Sequence, residues 1–142
     1  MKRMPKIKSV MTAFPYSVEP DMPVQDALEL MAAHTIHHLP VEQHDEVIGI
    51  ISDRDIRLVL NRQADDPGAL TVGEIQHADA YIVDLDERLG IVLLHMADAH
   101  LDAAIVTRHG KLVGMFTSTD AQTAFAEFLR DQFRRSGGGD AA

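Results

Sequence analysis

Two stretches of this chain are copies of one another. Gly49-Ile50-Ile51-Ser52-Asp53-Arg54-Asp55 and Gly114-Met115-Phe116-Thr117-Ser118-Thr119-Asp120 share a glycine, two apolar residues, a hydroxyl, two variable residues and a carboxylate, at an offset of 65. The register continues without a gap: Tyr16 falls on Tyr81, Val18 on Val83, Asp21 on Asp86, Leu28 on Leu93, Met31 on Met96, Val41 on Val106 and His44 on His109. Agreement of this density in one register marks a duplicated unit and outranks any local reading. Each half, at about sixty residues, is marginal alone. The halves are therefore expected to bury apolar faces against each other about an internal pseudo-two-fold axis, and a hydrophobic content of 46% can supply that core.

Val47 and Ile48 lead into the first motif as an apolar run, which predicts a buried strand, and Ser52 then stands where a helix N-cap belongs. The helix runs from Asp53 to about Arg62. Ahead of it, Ile7 to Met11 reads as a turn of helix, Thr12 to Pro15 as a loop and Tyr16 to Val18 as a brief strand. Apolar residues at three-and-four spacing after Pro23 predict a helix to about His34. Ile36 to Val41 reads as an edge strand because of Pro40, and Glu42 to Glu46 as a hairpin connection. The second half repeats this order: a turn at Val72 to Ile75, a strand at Tyr81 to Val83, a helix from about Arg88 to His100, strands at Ala103 to Thr107 and through Thr117, and a helix from Thr119 to about Phe133. Residues 1–62 form the first unit, 63–70 the linker, 71–135 the second unit and 136–142 a disordered tail.

With no cysteine, neither disulfides nor thiolate chemistry enters. No stretch has the apolar length to span a bilayer, and no apolar segment follows the basic start, so a cytoplasmic protein is expected. A net charge of −9 disfavours nucleic acid. Arg54, Arg57 and Arg62 leave room for a local anion site.

The tandem order strand, helix, strand, strand, helix, with Gly-apolar-apolar-Ser/Thr-x-x-Asp closing each last strand and Ile36-His37-His38-Leu39-Pro40-Val41 before the first motif, resembles the CBS-domain pair (Bateman module). The resemblance covers about residues 7 to 133, with Ile7 to Thr12 as its lead-in segment, and implies an α+β fold. It also implies an adenosine ligand between the repeats: AMP first, with ADP, ATP or S-adenosylmethionine as further candidates. Asp55 would accept the ribose hydroxyls, Ser52 and the helix it opens would receive phosphate oxygens, and Ile50 would flank the adenine. His37 and His38 would reach the phosphate, with Arg54 and Thr12 nearby. The second repeat offers Thr117, Asp120, Met115 and Ala103. There Asp102 takes the place of His37, which favours the first site, so Asp55→Ala is expected to cost more affinity than Asp120→Ala.

Simpler readings stand beside these. Ser52-x-x-Asp55 and Thr117-x-x-Asp120 are also helix caps. His34, His37 and His38, or His95 and His100, invite a metal, yet His37 and His38 fall on alternate faces of a strand. No nucleophile has a recognisable base and no glycine-rich phosphate loop is present, so no enzyme activity and no required cofactor are expected. The stripe Ala121, Ala124, Phe125 and Phe128 on the last helix suits core packing, a homodimer or a downstream protein. A ligand-free interaction module is the alternative function.

Overall fold

The computed structural model describes residues 4–62 and 70–135. Of the expected linker at 63–70 only Leu70 is among these residues, and the expected tail at 136–142 lies outside them. After a 3-10 turn at Ile7–Ser9, the elements are β1 (Thr12–Ala13), α1 (Val24–His34), β2 (His38–Gln43), β3 (Glu46–Ser52), α2 (Asp53–Arg62), α3 (Val72–Ile75), β4 (Ile82–Asp84), α4 (Leu89–Ala99), β5 (Ala103–Arg108), β6 (Lys111–Thr117) and α5 (Ser118–Arg135).

The duplication extends to backbone detail. Thr35 and His100 end α1 and α4 in the left-handed region, and each cap N–H returns to the methionine carbonyl four residues back, Met31 or Met96. The β2–β3 turn carries positive φ at His44 and Asp45, and the β5–β6 turn at His109 and Gly110, which gives each hairpin the twist of a two-residue primed turn. A register shift falls at Val41/Glu42 in one hairpin and at Val106/Thr107 in the other.

Two local expectations change. Tyr16 to Val18 forms no strand: only Val18 is bridged, in parallel to Val41. Thr12 and Ala13, expected in a loop, form β1 and pair antiparallel with Met115 and Gly114. The reason lies outside the local sequence, because the partner of β1 belongs to the other half.

That exchange is reciprocal and organises the molecule. One sheet has the order β1-β6-β5-β4, while β2 and β3 form the other. The segment leading into the second half bridges back, with His77 antiparallel to Ile50. Ile7 is buried in the second half's core beside Val92, Met96 and Phe116, and Val72 is buried in the first half's core beside Val24, Met31 and Ile56. Each half is thus closed by the other's lead-in. A third cluster seals the seam, with Val47 and Ile50 of the first half against Ile105 and Met115 of the second.

The motif glycines have their cause here. A Cβ on Gly49 would stand 2.6 Å from the His77 carbonyl oxygen and 2.5 Å from Gln76 Oε1, and one on Gly114 would strike the Met11 thioether. Only glycine lets the crossing chains approach this closely.

Candidate functional site

Both motifs close capping boxes at the starts of α2 and α5. Asp55 N–H donates to Ser52 Oγ (3.1 Å) and Ser52 N–H to Asp55 Oδ2 (3.3 Å). In the second copy Asp120 N–H donates to Thr117 Oγ1 (3.4 Å) and Thr117 N–H to Asp120 Oδ2 (2.9 Å). The capping reading is therefore correct for both motifs. It leaves carboxylate lone pairs over, and each aspartate turns one toward the seam.

Because the lead-ins cross, each motif meets the other half there. Thr12 Oγ1 donates to Asp120 Oδ1 (3.2 Å), and at the equivalent place His77 Nε2 stands 3.1 Å from Asp55 Oδ2. Each carboxylate faces a cavity. The larger, about 680 Å³, brings Thr12, Met115, Thr117 and Asp120 together with His37 and His38, and has Phe14 and Tyr16 along its wall. The smaller, about 310 Å³, holds Ile50, Ser52, Asp55 and Ala103, with His77, Asp79 and Tyr81. His38 and Asp102 line both. A further cavity of about 590 Å³ beside Glu19, Asp26 and Glu42 contains none of the predicted residues.

This arrangement corrects the expected grouping. His37 and His38 do not stand apart with Ser52 and Asp55: His37 lines the Asp120 cavity and His38 lines both. Asp102 is likewise common to both cavities. Thr12 joins the second motif, and Ala103 joins the first. Arg54 is exposed and lines neither cavity. Neighbours along one repeat are not neighbours in one cavity, since the Asp120 and Asp55 cavities each draw on both repeats. The ranking of Asp55 above Asp120 loses its basis with that regrouping. His77, Phe14 and Asp79 were not singled out from the sequence, although the 65-residue register does map Thr12 onto His77 and Phe14 onto Asp79.

The electrostatics follow the seam. His37 Nδ1 donates to Asp53 Oδ2 (2.9 Å), and Arg57 reaches the same oxygen (3.3 Å). Burial alone would raise the Asp53 carboxyl, but the His37 bond and the charges of His37 and Arg57 hold it below the ordinary carboxylate range. His38 is depressed below the usual histidine value by burial, against the opposing pull of Asp102 and Asp53. His34 stacks on Tyr16 at 3.9 Å and His95 lies against Tyr81 at 4.2 Å, so these histidines of the metal reading serve as aromatic packing. Among the described residues no group of three or more His, Asp or Glu side chains is placed to hold a metal ion.

Comparison with known proteins supplies a family. A family model for the CBS domain matches residues 7–62 and again 72–127. The chain is 28% identical over 133 residues to inosine-5′-monophosphate dehydrogenase of Thermoplasma acidophilum, covering 92% of this chain and 26% of that protein. It thus spans about a quarter of the length of that curated relative. A protein assigned to acetoin utilization, AcuB, from Vibrio cholerae superposes with a TM-score of 0.83 at 26% identity, over 93% of this chain and 98% of that one. The CBS-domain pair of protein MJ0100, solved with 5′-methylthioadenosine and S-adenosyl-L-methionine, superposes with a TM-score of 0.78 at 23% identity, over 89% and 99% of the two chains, and speaks for the fold alone.

Proposed function

We propose, from the premise that this chain belongs to the CBS-domain family, that it is an adenosine-nucleotide sensor and not an enzyme, acting in the cytoplasm as a homodimer on a partner protein. One observation carries the reading: Thr12, Thr117 and Asp120 converge with His37 and His38 on a single cavity of about 680 Å³, a size that suits a nucleotide. Asp120 accepts the ribose hydroxyls, displacing the Thr12 hydroxyl that now occupies one of its oxygens. The Ser118 and Thr119 hydroxyls and the start of α5 receive phosphate oxygens, and His37 and His38 face the phosphate charge. Met115 lies against the base. AMP is the favoured ligand, ahead of ADP, ATP and S-adenosylmethionine.

Ligand-free assembly is the second reading. The observation in its favour is the exposed row Phe125, Phe128, Leu129 and Phe133 on α5. A thermal-shift panel with the four adenosine compounds separates the two. A ligand at a hundred times its dissociation constant adds about 2.7 kcal/mol to a folded state that alone binds it. A stabilisation by AMP supports the sensor, and no shift with any of the four at millimolar concentration supports the interaction module.

A further inference from the structure

We propose that the two cavities sort adenosine ligands by charge, the Asp120 cavity taking the phosphate-bearing nucleotide and the Asp55 cavity a cationic nucleoside without phosphate. This rests on the sensor reading above and extends it to the second cavity. His38 and Asp102 line both cavities, and Asp102 also accepts from the Ser118 hydroxyl at 3.3 Å, so the contrast lies in the residues that are not shared. Among the residues that are not shared, Asp120 is the sole carboxylate of its cavity, whereas the other holds Asp55 and Asp79.

The difference is concentrated where the repeats should match. Position 14 is an exposed phenylalanine, a flat apolar face at the cavity wall, and its counterpart Asp79 is an exposed carboxylate. At the helix starts, where a phosphate would seek backbone N–H groups, the Asp120 cavity offers the Ser118 and Thr119 hydroxyls. The counterpart of Ser118 at the start of α2 is Asp53, which lines neither cavity and is held by His37 and Arg57, so the smaller cavity has no matching hydroxyl there. An anion brought into the smaller cavity meets the like charge of Asp79, which disfavours it. The bases of the smaller cavity, His77 and His100, do not reverse this, since Asp55 already holds His77 at 3.1 Å. A sulfonium or ammonium group finds Asp79 and Asp102 instead.

The test is calorimetric titration of the full chain with AMP and, separately, with S-adenosylmethionine as the cationic probe. The variants are Asp120→Asn, Asp55→Asn and Asp79→Asn. Asparagine keeps the oxygen that closes each capping box, and a circular-dichroism melt of each variant confirms that it folds. The expected result is one AMP per chain, weakened on the order of tenfold to a hundredfold by Asp120→Asn and unmoved by Asp55→Asn. S-adenosylmethionine should show the reverse pattern and weaken about tenfold in Asp79→Asn, a position outside the capping boxes. Two equivalent AMP sites per chain, both ligands responding to the same aspartate, or AMP binding with none of S-adenosylmethionine would each overturn the sorting alone. Failure of both compounds to bind would overturn the sorting, and with no binding of ADP or ATP either it would overturn the sensor reading as well.

Discussion

The imidazole of His77 holds Asp55 across the seam at 3.1 Å, in the place where the hydroxyl of Thr12 holds Asp120 at 3.2 Å. A hydroxyl can rotate and donate elsewhere, while a ring nitrogen facing a carboxylate competes directly with a ribose hydroxyl for the same oxygen. His77→Thr is expected to make the Asp55 cavity resemble the other one and to strengthen S-adenosylmethionine by about 1 kcal/mol, roughly fivefold. Calorimetry reads this directly. Weaker binding in the variant would mean that His77 touches the ligand rather than competing with it.

The two motif glycines should differ in cost when filled. At Gly49 the new methyl meets the His77 carbonyl oxygen, which cannot retreat without breaking the 3.0 Å bond that Ile50 N–H donates to it. At Gly114 it meets chiefly the Met11 side chain, which is flexible. Gly49→Ala is therefore expected to cost about 1–3 kcal/mol and Gly114→Ala less. Urea unfolding of both variants gives the order, and a larger loss at Gly114 would place the tighter crossing on the wrong side.

The sequence is a good guide to the elements and a poor one to their partners. The register of 65 and the hydroxyl-x-x-carboxylate spacing both read a helix beginning right after Ser52, and α2 begins at Asp53. The capping boxes are local and therefore legible. The crossing of the lead-ins is not local. Nothing between Ile7 and Thr12 says that Ile7 will be buried against Phe116, or that β1 will pair with β6, because those contacts are set by how two copies close on each other. The expected site residues other than Arg54 line the two cavities, but in a different grouping from the one the sequence suggests. His37 was read as a partner of Asp55, but β2 opens at the seam, where its first residues face the other repeat's motif as well.

The last helix is longer than the half it belongs to requires. Ala121 packs on the second core, and beyond it Phe125, Phe128, Leu129 and Phe133 recur at three-and-four spacing with Phe125 60% and Phe133 61% exposed. An exposed apolar row of this kind marks an association surface. The chain is expected to sediment as a dimer, and Phe125→Asp with Phe128→Asp to give a folded monomer by light scattering on a sizing column. A wild-type monomer at all accessible concentrations would remove the homodimer and leave the row to another partner.

His38 predicts how stability and binding follow pH. Burial holds its native value below the ordinary one near 6.5, so the neutral ring is the form that the fold prefers. Above about pH 6.5 neither state carries that proton, and the contribution is complete. As pH falls below this, the unfolded chain takes up the proton first, and stability is lost until the native group titrates as well. Asp53, held low, begins to lose its contribution only below about pH 4, outside this window. Urea unfolding at about pH 7.5 and 5.5 should show a smaller loss in His38→Gln than in the wild type. A bound phosphate reverses the preference, because its charge favours imidazolium. AMP should therefore bind more tightly at the lower pH in the wild type and show less of that gain in His38→Gln; an equal gain in the two would place the responsible proton on another group.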